Sequence, residues 1–131
     1  MNTKHITPSL HVIGYNNESA TQLTPGMGVM AGASEGGVTL PTLDAFVEGV
    51  VALDQLANQN DGVSVHVGHG GTCYVLAGAA FALHAYLTVD ATGRWITAVS
   101  TKHYQARALS AAAAAGELVP VIRLSGLDVA P

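Results

Sequence analysis

Val63-Ser64-Val65-His66-Val67-Gly68, followed after His69 by Gly70-Gly71 and then by Thr72-Cys73-Tyr74-Val75-Leu76, decides the fold. Valine alternates with other residues through the first part, so three valines share one face of a strand and require a core to cover them. The second part is rich in residues that suit a pleated, half-buried surface, and the glycine pair between the two predicts a hairpin. Further on, Leu87-Thr88-Val89, the turn Asp90-Ala91-Thr92-Gly93, and Arg94-Trp95-Ile96 predict another strand and its return.

Upstream, Leu10 to Tyr15 makes a short strand and Asn16-Asn17-Glu18-Ser19 a turn. From Pro25 to Pro41 glycine and alanine interrupt every possible long element, giving loops and short strands. Gly26-Met27-Gly28 superficially fits a dinucleotide-binding pattern, but that pattern works only between a buried strand and the start of a helix, and here Thr24-Pro25 precedes it and more glycine follows. Leu43 to Leu53 fits either a helix face or a buried strand. Gly49 costs a mid-helix position about 1 kcal/mol and Val50-Val51 favours a strand, so a strand is expected over Phe46 to Leu53.

At the other end, alanine is the best helix former, and propensity alone would run a helix from about Gln105 through Ala111 to Ala115. Such a short helix is marginal in water, and Gly116-Glu117 leads into the strand-like Leu118-Val119-Pro120-Val121-Ile122-Arg123-Leu124. The expectation is a strand over Tyr104 to Ala111, a turn over Ala112 to Glu117, and a partner strand over Leu118 to Leu124 with Pro120 at an edge or bulge. The predicted fold is all-β: a compact barrel or sandwich of short, mostly antiparallel strands with at most one or two helical turns. A single β domain spans residues 9–124, between an extended arm over residues 1–8 and a tail over 125–131.

Composition narrows the function. Charged residues are 11% of the 131, against about 25% in an ordinary soluble domain, which suggests that part of the surface is covered by copies of the chain or by a larger partner. The net charge is −4, and Lys4, Arg94, Lys102, Arg107 and Arg123 are scattered, so there is no basic footprint for nucleic acid. No stretch approaches the roughly 20 apolar residues of a membrane-spanning helix, and the N-terminus lacks a signal-peptide pattern, so a cytoplasmic origin without membrane partners is expected.

Catalytic or metal chemistry finds little to work with. His66, His69 and Cys73 are weak candidates for zinc, because residues three apart on a strand point to opposite faces unless Gly68 begins a turn. A nucleophilic site would need Cys73 beside His66 or His84, with a third group to orient the base. No cofactor and no enzymatic activity are expected. A carbohydrate- or receptor-binding β module, with Trp95, Tyr74 and Tyr86 as stacking residues, is the main alternative to a structural role, ahead of a small metal-binding or hydrolytic enzyme.

The order of Phe46-Val47-Glu48-Gly49-Val50-Val51, the Val63 strand, Ala77-Gly78-Ala79-Ala80, Leu87-Thr88-Val89-Asp90 with Gly93-Arg94, and Ala106-Arg107-Ala108-Leu109 through Gly116-Glu117 to Val121-Ile122-Arg123-Leu124 resembles the small capsid decoration, or cement, proteins of tailed bacteriophages. The resemblance covers roughly Phe46 to Leu124. It implies a non-enzymatic virion protein, made in the host cytoplasm, that binds the outer surface of the phage head and stabilises contacts between major capsid subunits, as a homotrimer or less commonly a dimer. Arg94 and Trp95 at a turn exit, Lys4 and His5 in the arm, and Leu127 in the tail are the expected contact residues.

Overall fold

The structure, a computed structural model, describes residues 11–53, 55–126 and 128–131. Among these residues there is no helix. Ten strands follow one another: β1 (His11–Asn17), β2 (Gly28–Ala31), β3 (Gly37–Thr39), β4 (Gly49–Val51), β5 (Gly62–Val67), β6 (Thr72–Leu76), β7 (Tyr86–Val89), β8 (Trp95–Thr97), β9 (Ala106–Ala108) and β10 (Leu118–Arg123). The first five close into a barrel in the order β1-β3-β2-β4-β5, and the last five form a second sheet in the order β6-β10-β9-β7-β8. The all-β expectation is met.

The two halves share one topology. In the barrel β1 runs parallel to β3 and antiparallel to β5, while β2 pairs antiparallel with β3 and β4, and β4 with β5. In the second sheet β6 is antiparallel to β10, β9 to β10 and to β7, and β7 to β8, and the parallel bridge Ala77↔Trp95 joins its two outer strands. Even the isolated bridges correspond, Leu23↔Ala57 in the first half and Phe81↔Ala112 in the second. Sequence does not advertise this repetition. At matching positions Val63 and Val65 answer Val119 and Val121, but Asn17 stands where the second half has Ala77.

Each half has its own apolar core. Leu23, Met27, Val29, Val38, Val51, Ala57, Val63 and Val65 fill the barrel, and the second sheet closes over Cys73, Val75, Leu87, Val89, Trp95, Val119 and Val121. Val50 points out of the barrel into the second core, and His66 across from it on β5 is also buried, so the outer face of β4 and β5 is the wall between the halves. Two glycines permit this approach. A Cβ on Gly28 would lie 2.7 Å from Val89 Cγ1, and one on Gly26, at φ 83°, would lie 2.6 Å from the Leu76 backbone nitrogen.

The expected hairpin between the Val63 strand and the Thr72 strand does not form. Alternation places Val63 and Val65 inward as read, but β5 pairs with β1 and β4, whereas β6 pairs with β10. Gly68 and Gly70, at φ 91° and 85°, carry the chain out of the barrel and into the second sheet instead of folding it back. The strand expected over Phe46 to Leu53 is confined to β4. Gly49 is required there for a different reason from helix propensity, since a Cβ would meet the His66 carbonyl oxygen at 2.2 Å.

The alanine-rich ending is a turn between paired strands, as expected: Val121, Ile122 and Arg123 face Ala108, Arg107 and Ala106. The amides of Ala113 and Ala114 donate to the Glu117 carboxylate, the latter at 2.7 Å, and Ala112 exchanges backbone bonds with Phe81, so three successive amides of the run are taken away from helix formation. The strand read over Tyr104 to Ala111 is reduced to β9. Pro120 does not lie on an edge strand, because β10 sits between β6 and β9. Its carbonyl accepts from Leu109 N–H just past the end of β9, and the missing Pro120 donor falls on that same open side. The hairpin β7–β8 turns on Asp90, whose carboxylate accepts from the amides of Thr92 and Arg94 at 2.9 and 3.1 Å.

Two consequences are measurable. Gly49→Ala is expected to cost about 1–3 kcal/mol in urea unfolding because the backbone must part to admit the methyl, whereas Gly14→Ala, with nothing within 4 Å of its Cβ, should stay within about 0.5 kcal/mol of the parent. Cys73 is fully buried and its thiol is pushed up to about 11 by desolvation, opposed in part by Arg123. The folded state therefore holds the thiol proton longer than the unfolded chain. The stability this contributes is complete below the ordinary thiol value of 9.0 and falls as pH rises towards about 11. Native protein should resist an aromatic disulfide reagent at pH 8 and react fully once denatured, and Cys73→Ala should flatten the alkaline loss of stability.

Candidate contact face

The N-terminal half of β1 is built unlike the other barrel strands. His11, Val12, Ile13 and Gly14 are all exposed, with Val12 at 52% and Ile13 at 46%, although they pair with β5 from His11↔Val67 to Gly14↔Ser64. The parallel partner β3 reaches only Asn16 and Asn17. Asn16 N–H donates to Gly36 on the β3 side and Asn17 N–H to Asp61 on the β5 side. By strand alternation Val12 and Gly14 direct their backbone groups to the β3 side, where no described strand meets them. Among the described residues this is an open strand edge, with apolar side chains on both faces and neither lysine nor proline within it.

Beside it lies a cavity of about 260 Å³ lined by Phe46, Val47, Glu48, Val67, Gly68, His69, Gln105, Arg123, Leu124 and Ser125. Val67 lines the cavity and pairs with His11, so the open edge and the cavity occupy the same end of the barrel. Buried Gln105 shapes one wall: its amide accepts from Val47 N–H at 2.9 Å and donates to the Ala45 carbonyl at 2.6 Å. Phe46 is left 58% exposed at the rim. The Tyr15 hydroxyl donates to Glu48 at 3.0 Å, and desolvation followed by the neighbouring Glu48 charge raises the phenol above its ordinary value.

Arg123 provides the cation of this site. It is 4% exposed, its Cζ lies 5.8 Å from the centre of the Trp95 ring, and its buried Nε and Nη1 have no hydrogen-bond partner among the described residues. Desolvation lowers its basicity, offset in part by Cys73. The register accounts for its inward position, since Arg123 continues the row of Val119 and Val121.

The residues singled out from sequence are distributed differently. Trp95 is fully buried in the core of the second sheet and cannot itself touch a partner, while Arg94 beside it is exposed. This also removes Trp95 as a glycan-stacking residue. Lys4 and His5, with the arm expected over residues 1–8, and Leu127 of the tail lie outside the described residues. His66 is buried with Nδ1 unpartnered, His69 is exposed at the cavity, and Cys73 is buried in the second core. Among the described residues no three of His, Cys, Asp and Glu are grouped so as to hold a metal ion. Sequence reading missed Arg123 and the Val12–Ile13 edge. The first was signalled by an arginine in phase with inward valines, the second by consecutive apolar residues with no gatekeeping charge.

No family model and no curated protein matches the chain. Among solved structures it is similar to the crystal structure of the head fiber gp8.5 N base in bacteriophage phi29, with a TM-score of 0.69 at 14% identity, covering 90% of this chain and 99% of that one. At that identity the likeness concerns the fold, and it extends over both halves.

Proposed function

We propose that this chain is a non-enzymatic virion structural protein that seats on the outer surface of a phage head and stabilises contacts between major capsid subunits. The observation that carries this reading is the fold shared with a phage head fiber base over nearly the full length of both chains. A chain with only 11% charged residues and a strand edge that is apolar and open among the described residues support it, since a protein that covers seams between subunits needs complementary contact rather than a cleft. The β1 edge offers main-chain donors and acceptors for strand addition, with Val12 and Ile13 supplying apolar contact on either side. In the proposed homotrimer, seating one subunit raises the effective concentration of the others, so each contact can be weak.

Purified protein mixed with undecorated heads of its own phage should co-sediment at a saturable stoichiometry, and failure to pellet at any concentration would refute the reading. Val12→Pro removes a donor from the open side of β1 while sparing the bonds to β5. It is expected to weaken head binding by about tenfold or more with little change in melting temperature, and unchanged binding would exclude the edge as the contact.

A further inference from the structure

We infer that the cavity at the end of β5 and β10 is a carboxylate-binding site with Arg123 as its anchor. A guanidinium is charged at every physiological pH, and burying one without a counter-charge is strongly unfavourable. Arg123 is 4% exposed and lines the cavity with Nε and Nη1 unsatisfied. Its near neighbour Cys73 supplies no compensation, because the thiol stays protonated until about pH 11. Glu48 lines the same cavity but is exposed and is engaged by the Tyr15 hydroxyl at 3.0 Å. The fold therefore holds a desolvated cation in the wall of an opening, with Nε and Nη1 sealed from solvent and without a partner among the described residues; a carboxylate entering the cavity and drawing the guanidinium towards it would supply the missing charge-assisted hydrogen bonds.

The cavity's size and walls restrict the guest. About 260 Å³ admits a short carboxylate-bearing chain, and Phe46 at the rim offers an apolar surface to the carbons behind it. A free organic acid and an acidic side chain of another protein present the same group. The site rests on the orphaned guanidinium and the cavity, and it stands independently of any binding to phage heads.

Trp95 is the single tryptophan of the chain and lies under Arg123, so its fluorescence reports occupancy directly. The full chain is titrated at pH 7 with succinate and separately with N-acetyl-glutamate amide, each against chloride at matched ionic strength. A saturable change in Trp95 emission with either carboxylate and none with chloride is expected. Tighter binding of succinate identifies a free acid as the natural guest, and tighter binding of the capped residue identifies a protein side chain. Arg123→Met should weaken binding at least about tenfold while keeping or raising the melting temperature, because it removes a buried charge. Arg123→Lys, the second variant should the first fail to fold, should also bind more weakly through loss of the planar fork. Glu48→Gln should bind as well as the parent or better. Emission changes equal to those in chloride, undiminished binding in folded Arg123 variants, or binding that emerges only in Glu48→Gln, which would make Glu48 the counter-ion, would each overturn the site.

Discussion

The backbone of Arg123 is the hinge pin of the molecule. Gly70 N–H donates to the Arg123 carbonyl at 2.6 Å and Arg123 N–H donates to the Gly71 carbonyl at 2.8 Å. These two bonds catch the chain where it leaves the barrel and start it along β10 in the second sheet. The same residue lays its side chain over the Trp95 ring and lines the cavity. One position thus joins the crossover, the second core and the candidate site.

The repeated topology explains how so short a chain builds two sheets from strands of three to seven residues. Each half buries a small valine-rich core, and Val50 packed into the second core together with backbone bonds such as Gly28 N–H to the Gly93 carbonyl holds the halves together. Closing the first sheet, and bridging the second at Ala77 and Trp95, removes most free edges. Among the described residues the beginning of β1, at the same end as the cavity, is left without a partner on one side. Where a sheet protein otherwise hides its edges, an apolar one left bare is a place for another chain.

Local chemistry in the sequence was a good guide wherever it decided the outcome. Alternating valines identified β5, Asp90 and Gly93 identified the β7–β8 turn, and Gly116-Glu117 correctly outweighed the alanine run because Glu117 draws the preceding amides away from helix formation. Reading failed where partners were chosen at long range. Gly70-Gly71 has the look of a hairpin turn, yet the bonds that settle its course come from Arg123, more than fifty residues later. Trp95 at a turn exit reads equally well as contact or core, and only the packing of β6 to β10 around it makes it core. The duplicated topology was invisible because it is conserved in pairing pattern and almost not at all in residues.

The proposed function makes this all-β chain a head-bound structural protein that docks through the end carrying the β1 edge and the Arg123 cavity. Electron cryomicroscopy of phage heads saturated with the protein tests it most directly. The account predicts two-lobed density at repeated positions on the outer shell, with His11 to Gly14 and Phe46 turned towards the capsid. Bare heads, or density with that end facing solvent, would contradict it.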